Sequence, residues 1–136
     1  MVKHATLVSF LLNLNLFAAE QLDPFVDDMT ISPAGRPGTA AGQIVICEMD
    51  YTAVLFIERY PHAAQPVPLL LAQISAWLKT NDPDRQQGFQ FPINVDVLDD
   101  ATADLEIRIV FHELVTATTN ASGAIMLNGS RYALDA

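Results

Sequence analysis

Four carboxylates fall within eight residues, Asp99, Asp100, Asp104 and Glu106, and such a cluster could hold a cation or share acid–base work. A calcium loop sets its oxygen ligands at fixed alternating positions around a central glycine, and this stretch has no glycine. Solvated carboxylates around a turn are the better reading. His112 and Glu113 are adjacent but lack the second histidine of a zinc-protease helix. On a strand, neighbours point to opposite faces, so the pair cannot converge on one ion. His4 and His62 lie in other segments, with no ligand partner nearby in the chain. Ser9, Ser32, Ser75, Ser122 and Ser130 sit in no Gly-x-Ser-x-Gly elbow. The segment 32–42 (SPAGRPGTAAG) is not followed by Gly-Lys-Ser/Thr, so it is no phosphate-binding loop. No catalytic residue, metal site or cofactor is expected.

Composition narrows the class further. The 136 residues carry a formal charge of −9, from 16 acidic and 7 basic side chains. So few cations cannot neutralise a run of phosphates, which argues against general nucleic-acid binding. With 51% hydrophobic residues the chain can offset the entropy of ordering, so it is not disordered. Only 17% of residues are charged, below the usual ~25%, which suggests that some apolar surface is shared with neighbouring subunits. The single cysteine, Cys47, excludes an internal disulfide and a cysteine-based zinc cage, and is weakly consistent with a reducing cytoplasm. Its place on the apolar face of a strand predicts burial as a small hydrophobe.

The elements that must position these residues follow from periodicity. Leu7, Phe10, Leu11, Leu14 and Phe17 form one broad stripe, the pattern of an amphipathic core helix rather than a signal peptide. No run of eighteen apolar residues occurs, so no membrane span is expected. After Asp23-Pro24, residues 25–31 predict a short strand and residues 32–42 a flexible loop. From 45 to 57 every odd position is apolar, which predicts a strand with its odd face toward the core. At ~3.3 Å per residue it is longer than a domain of this size needs, so part of it should project or bend. A helix is predicted over 67–81, with Pro68 in its first turn and Asn81-Asp82-Pro83 ending it. Trp77 belongs to its core stripe. Residues 89–97 alternate as a half-buried strand, which Pro92 assigns to an edge or a bulge. Asp99 to Thr102 make a hairpin turn into a strand over 104–118 with Leu105, Ile107, Ile109 and Phe111 inward. Asn128-Gly129 predicts a small terminal hairpin. The expected architecture is α+β: two helices packed on one face of a mostly antiparallel sheet with an extended strand pair. It forms a single domain over 1–136, of which 118–136 is a C-terminal extension.

Several segments, in this order, resemble the phage tail completion protein R family of contractile-tailed phages. They are Lys3-His4-Ala5-Thr6-Leu7, Pro24-Phe25-Val26-Asp27-Asp28, Met49-Asp50-Tyr51-Thr52-Ala53-Val54 and Val67-Pro68-Leu69-Leu70. Ala76-Trp77-Leu78, Asn81-Asp82-Pro83-Asp84, Gly88-Phe89-Gln90-Phe91 and Glu113-Leu114-Val115 follow. Residues 58–65 and the tail after Thr118 depart from the pattern. The resemblance implies a non-enzymatic virion protein at the head-proximal end of the tail. There a ring of subunits, usually six, caps tube and sheath and docks the head connector, while DNA passes through without specific binding. Within that frame Ile44, Ile46, Val54, Phe56, Val110 and Leu114 are candidates for packing against a neighbouring subunit or a second layer. Asp99, Asp100 and Asp104 are candidates for an acidic lumen that repels phosphate. A different head–tail connector or neck protein, or a small ligand-binding domain or enzyme using the acidic turn with His112, are the alternatives.

Overall fold

A computed structural model describes residues 1–85 and 88–135. Their order is α1 (Val2–Asn13), a short 3-10 turn (Ala19–Gln21), β1 (Leu22–Pro37), β2 (Gln43–Tyr60), α2 (Val67–Asn81), β3 (Ile93–Val97), β4 (Ala103–Thr119), β5 (Ile125–Leu127) and β6 (Ser130–Leu134). The fold is α+β, two helices and a mostly antiparallel six-stranded sheet. The sheet order is β1-β2-β4-β6-β5, with β3 paired to β4 beside this path.

The chain divides into two compact units, each built from two segments. Unit 1 comprises residues 1–27 and 52–110; unit 2 comprises 28–51 and 111–136, of which Ala136 lies outside the described residues. β1, β2 and β4 each contribute residues to both.

In unit 1 the odd residues Ala53, Leu55 and Ile57 of β2 and Ala103, Leu105, Ile107 and Ile109 of β4 are fully buried, as period-two alternation requires. Leu7 and Leu11 of α1, with Leu70 and Ile74 of α2, are buried as well. The helices meet through Phe10 and Trp77, whose ring centroids lie 6.5 Å apart, and through the ion pair Lys3–Asp82 at 2.6 Å. α2 matches its predicted span, because Pro68 fits the first turn, whose N–H groups lack partners in any helix. α1 stops at Asn13, and Asn15 (φ 55) turns the chain through the left-handed region.

Three expectations are corrected. The flexible loop over 32–42 is strand as far as Pro37, so β1 has 16 residues and only the turn after Pro37 is irregular. Its prolines are tolerated because β1 is an edge strand, with one side free of any ladder. The strand over 89–97 is shorter, Ile93–Val97, because Phe89 and Phe91 pack on each other (centroids 6.3 Å apart) beside the end of α2. Cys47 is only half-buried: among the described residues unit 2 contains no helix to cover that stretch of β2.

In unit 2 the chain end is an integral part of the sheet. β6 pairs with β4 (Ala117↔Leu134, Thr119↔Tyr132), and β5 pairs with β6 around Asn128-Gly129. Both turn residues have positive φ, 49° and 81°, the geometry a two-residue hairpin demands of Asn-Gly. Asp135 accepts bonds from Gln43 Nε2 (3.0 Å) and Thr118 Oγ1 (2.7 Å), which hold its carboxyl below the ordinary carboxylate value.

Candidate functional site

The acidic turn is locally occupied. Asp99 Oδ1 accepts from the backbone N–H groups of Ala101 (2.9 Å) and Thr102 (2.6 Å) and from the Thr102 hydroxyl (3.0 Å). These donors lower its pKa below the usual 3.8, since they favour the charged form. Asp104 accepts from the Arg59 N–H at 2.9 Å, and Glu106 from Asn94 at 3.3 Å. Asp100 alone of the four makes no hydrogen bond or ion pair among the described residues. His62 Nε2 lies 3.1 Å from the Asp99 backbone carbonyl. No group of three or more His, Cys, Asp or Glu among the described residues is placed to hold a metal ion.

His112 and Glu113 do part to opposite faces. The His112 ring lies 2.9 Å from Asp50 Oδ1 and 3.4 Å from Glu48 Oε1, while Glu113 accepts the Tyr51 hydroxyl. Period two places Glu48, Asp50 and His112 on even positions. Strand register, which no local pattern states, brings them together across 62 residues of chain.

The interface candidates divide by burial. Val54 is fully buried in unit 1. Ile44 and Ile46 in unit 2 and Phe56 in unit 1 are half-buried, and Val110 and Leu114 are nearly half exposed. Periodicity missed a further apolar surface at β3. Val95 and Val97 pair with Leu105 and Ala103, so they share the core face of the sheet. Their partners are wholly buried, yet Val95 and Val97 are 48% and 62% exposed. The sheet's apolar face therefore runs out uncovered at this edge.

A cavity of about 300 Å³ lies in unit 1 around the last turn of α2. Leu78, Phe89 and Phe91 give it an apolar lining, and Ser75, Lys79 and Arg85 add polar groups. The Arg85 guanidinium lies 3.9 Å from the Phe89 ring centre and pairs with the buried Asp82 at 2.8 Å. Sequence reasoning missed this site, because its lining comes from a helix end and a loop assigned to a strand.

Apolar strand residues left open at an edge are the mark of a surface that meets another polypeptide. Over residues 1–136 the sequence matches the family model described as P2 phage tail completion protein R (GpR). The chain belongs to this family, and so has a structural role in a phage tail, in contact with other tail components. It is also similar to an uncharacterized 19.2 kDa protein in the rep-hol intergenic region of Haemophilus phage HP1 (strain HP1c1). The two are 32% identical over 113 residues, which cover 82% of this chain and 68% of the relative. No solved structure matches. Among the described residues, no helix is long and apolar enough to cross a membrane.

Proposed function

We propose that the protein completes the head-proximal end of a contractile tail as a homo-oligomeric ring, probed first as a hexamer. The ring caps tube and sheath and offers the head connector its docking surface. The observation that carries this reading is the uncovered apolar edge at β3, on a chain whose family completes phage tails. An edge strand with exposed valines on its core face gains stability by meeting another polypeptide. Ile44, Ile46, Phe56, Val110 and Leu114 are the further candidates for subunit contacts, and the helices cover the odd face of the sheet in unit 1. The strands common to both units support a single domain. DNA passes through the opening without specific binding, a reading that the formal charge of −9 supports. Assembly takes place in the host cytoplasm before the virion is complete.

Electron cryomicroscopy of purified tails, with native mass measurement of the isolated protein, tests the reading. A closed ring of this chain between tail and connector is expected. Density for it at another position, or a single copy per tail, refutes it. In the isolated protein, Phe56→Asp should reduce assembly while leaving the thermal midpoint of the monomer within a few degrees. Assembly and stability both equal to wild type would remove Phe56 from the interface.

A further inference from the structure

A ring whose subunits meet head to tail needs two different, complementary patches on each subunit. Resting on the ring reading above, we infer that the β3–β4 hairpin tip of one subunit (Val97, Leu98 and Asp100) inserts into the α2-end cavity of the next. Both patches lie in unit 1, and their chemistry is reciprocal. The cavity joins an aromatic floor to cationic groups, in a chain with only 7 basic residues. Lys79 makes no ion pair among the described residues. Lys79 and Arg85 line the cavity beside one buried carboxylate, Asp82, so the charged groups of its lining are positive on balance. The tip presents the opposite: Val97 and Leu98 are 62% and 46% exposed, and Asp100 follows them without a partner of its own. Asp99, bonded to its own backbone, fixes the shape of the tip. The bonds from Ala63 to the Ala101 carbonyl (3.4 Å) and from His62 to the Asp99 carbonyl (3.1 Å) tie it to the turn before α2.

Size and position fit the same assignment. At roughly 30 Å³ per water-sized group, about 300 Å³ admits one or two side chains. A tip cannot fill its own subunit's cavity. β3 leads from the cavity wall at Phe91 to the tip, and its five residues alone span roughly 16 Å. α2, with 15 residues, separates the tip end from the cavity end by roughly 22 Å. The two patches are therefore separate on the subunit, as a head-to-tail contact requires. The assignment places Asp100 at a subunit contact and not at a DNA-facing lumen.

Paired cysteines in the full chain test the contact. In a Cys47→Ser background, Leu98→Cys together with Ser75→Cys should oxidise to a ladder of covalent oligomers ending at the ring size. An equal mixture of the two single-cysteine chains should stop at dimer. In parallel, Leu98→Asp should weaken self-association at least tenfold and Lys79→Glu about fivefold, with Asp100→Lys restoring the Lys79→Glu chain. If native mass measurement finds rings but the cysteines give no ladder and Leu98→Asp assembles normally, the contact is overturned and the ring reading stands. A cross-link from Ser75→Cys to a different tail protein in purified tails also overturns it, and assigns the cavity to that partner. Monomer alone, both in solution and in purified tails, overturns the ring reading and the contact together.

Discussion

Asp82 ties the two chain segments of unit 1 together through Lys3, and removing it should cost a large share of the stability of that unit. Its carboxylate is 7% exposed, yet it stands at the C-cap of α2, where the helix dipole disfavours negative charge. Lys3 Nζ, donated from α1 at 2.6 Å, and Arg85 Nη2 at 2.8 Å offset that repulsion. In Asp82→Ala, the pairings with two charged partners are lost, Arg85 contributing Nε (2.9 Å) as well as Nη2, and each partner is worth about 1.5–3 kcal/mol. The Lys3 ammonium is 29% exposed and regains water, so its loss falls at the low end; Arg85, at 13%, recovers less. Relief of the dipole repulsion returns about 0.3–1 kcal/mol. The net loss should be about 3 kcal/mol, below the 3–5 kcal/mol that breaking a fully buried pair can reach. With about 2.1 cal/mol/K of unfolding entropy per residue, 136 residues convert this into a fall of roughly 10 °C in Tm. Urea unfolding of Asp82→Ala beside Asp84→Ala, an exposed carboxylate two residues on, supplies the comparison. Asp84→Ala should change stability by no more than about 0.5 kcal/mol. A Lys3→Met, Asp82→Ala cycle should show coupling between the two sites. If Asp82→Ala loses no more than Asp84→Ala, the buried carboxylate does not hold α1 to α2. The cavity should suffer too, because Asp82 keeps Arg85 over Phe89.

Two further outcomes follow from single groups. The Tyr60 hydroxyl is buried without a hydrogen-bond partner among the described residues, and burial raises its pKa. Tyr60→Phe should therefore be neutral or stabilising by up to about 1 kcal/mol in denaturant unfolding, because no bond is lost and an unsatisfied group is removed; a loss above 1 kcal/mol would reveal a partner. Asp99 has its folded pKa depressed below 3.8, so its stabilising effect is complete above that value and disappears as pH falls through the lower folded value. The stability gap between wild type and Asp99→Ala, followed by acid titration, should be constant near neutrality and close below pH 3.8. A gap that widens in acid would reverse the assigned direction.

Much of the fold was legible because each segment carries its own period. α2 matched its predicted span over 67–81. The odd residues of β4 from Leu105 to Phe111 are buried as expected. Asn128-Gly129 makes the predicted hairpin turn, since few other residues accept two successive positive φ values. Where a segment's state depends on a neighbour, local pattern failed. Residues 32–37, rich in Gly and Pro, are strand because β2 lies alongside to pair with them. Phe89 and Phe91 alternate like strand residues but turn toward the end of α2 instead.

The sequence by itself determined the α+β class, the helix over 67–81, the alternating faces of the long strands and, through ordered local motifs, the family. Each of these is written in spacings of a few residues, because backbone geometry repeats every 2.0 or 3.6 positions. Only the tertiary structure decided what meets what. It placed Lys3 on Asp82 across 79 positions, and His112 on Asp50 across 62. It also uncovered Val95 and Val97 beside fully buried partners and opened a cavity lined with cationic groups at the end of α2. Such contacts depend on strand register and on how a loop closes, which are set by the packing of the whole chain and leave no mark in any short window of sequence.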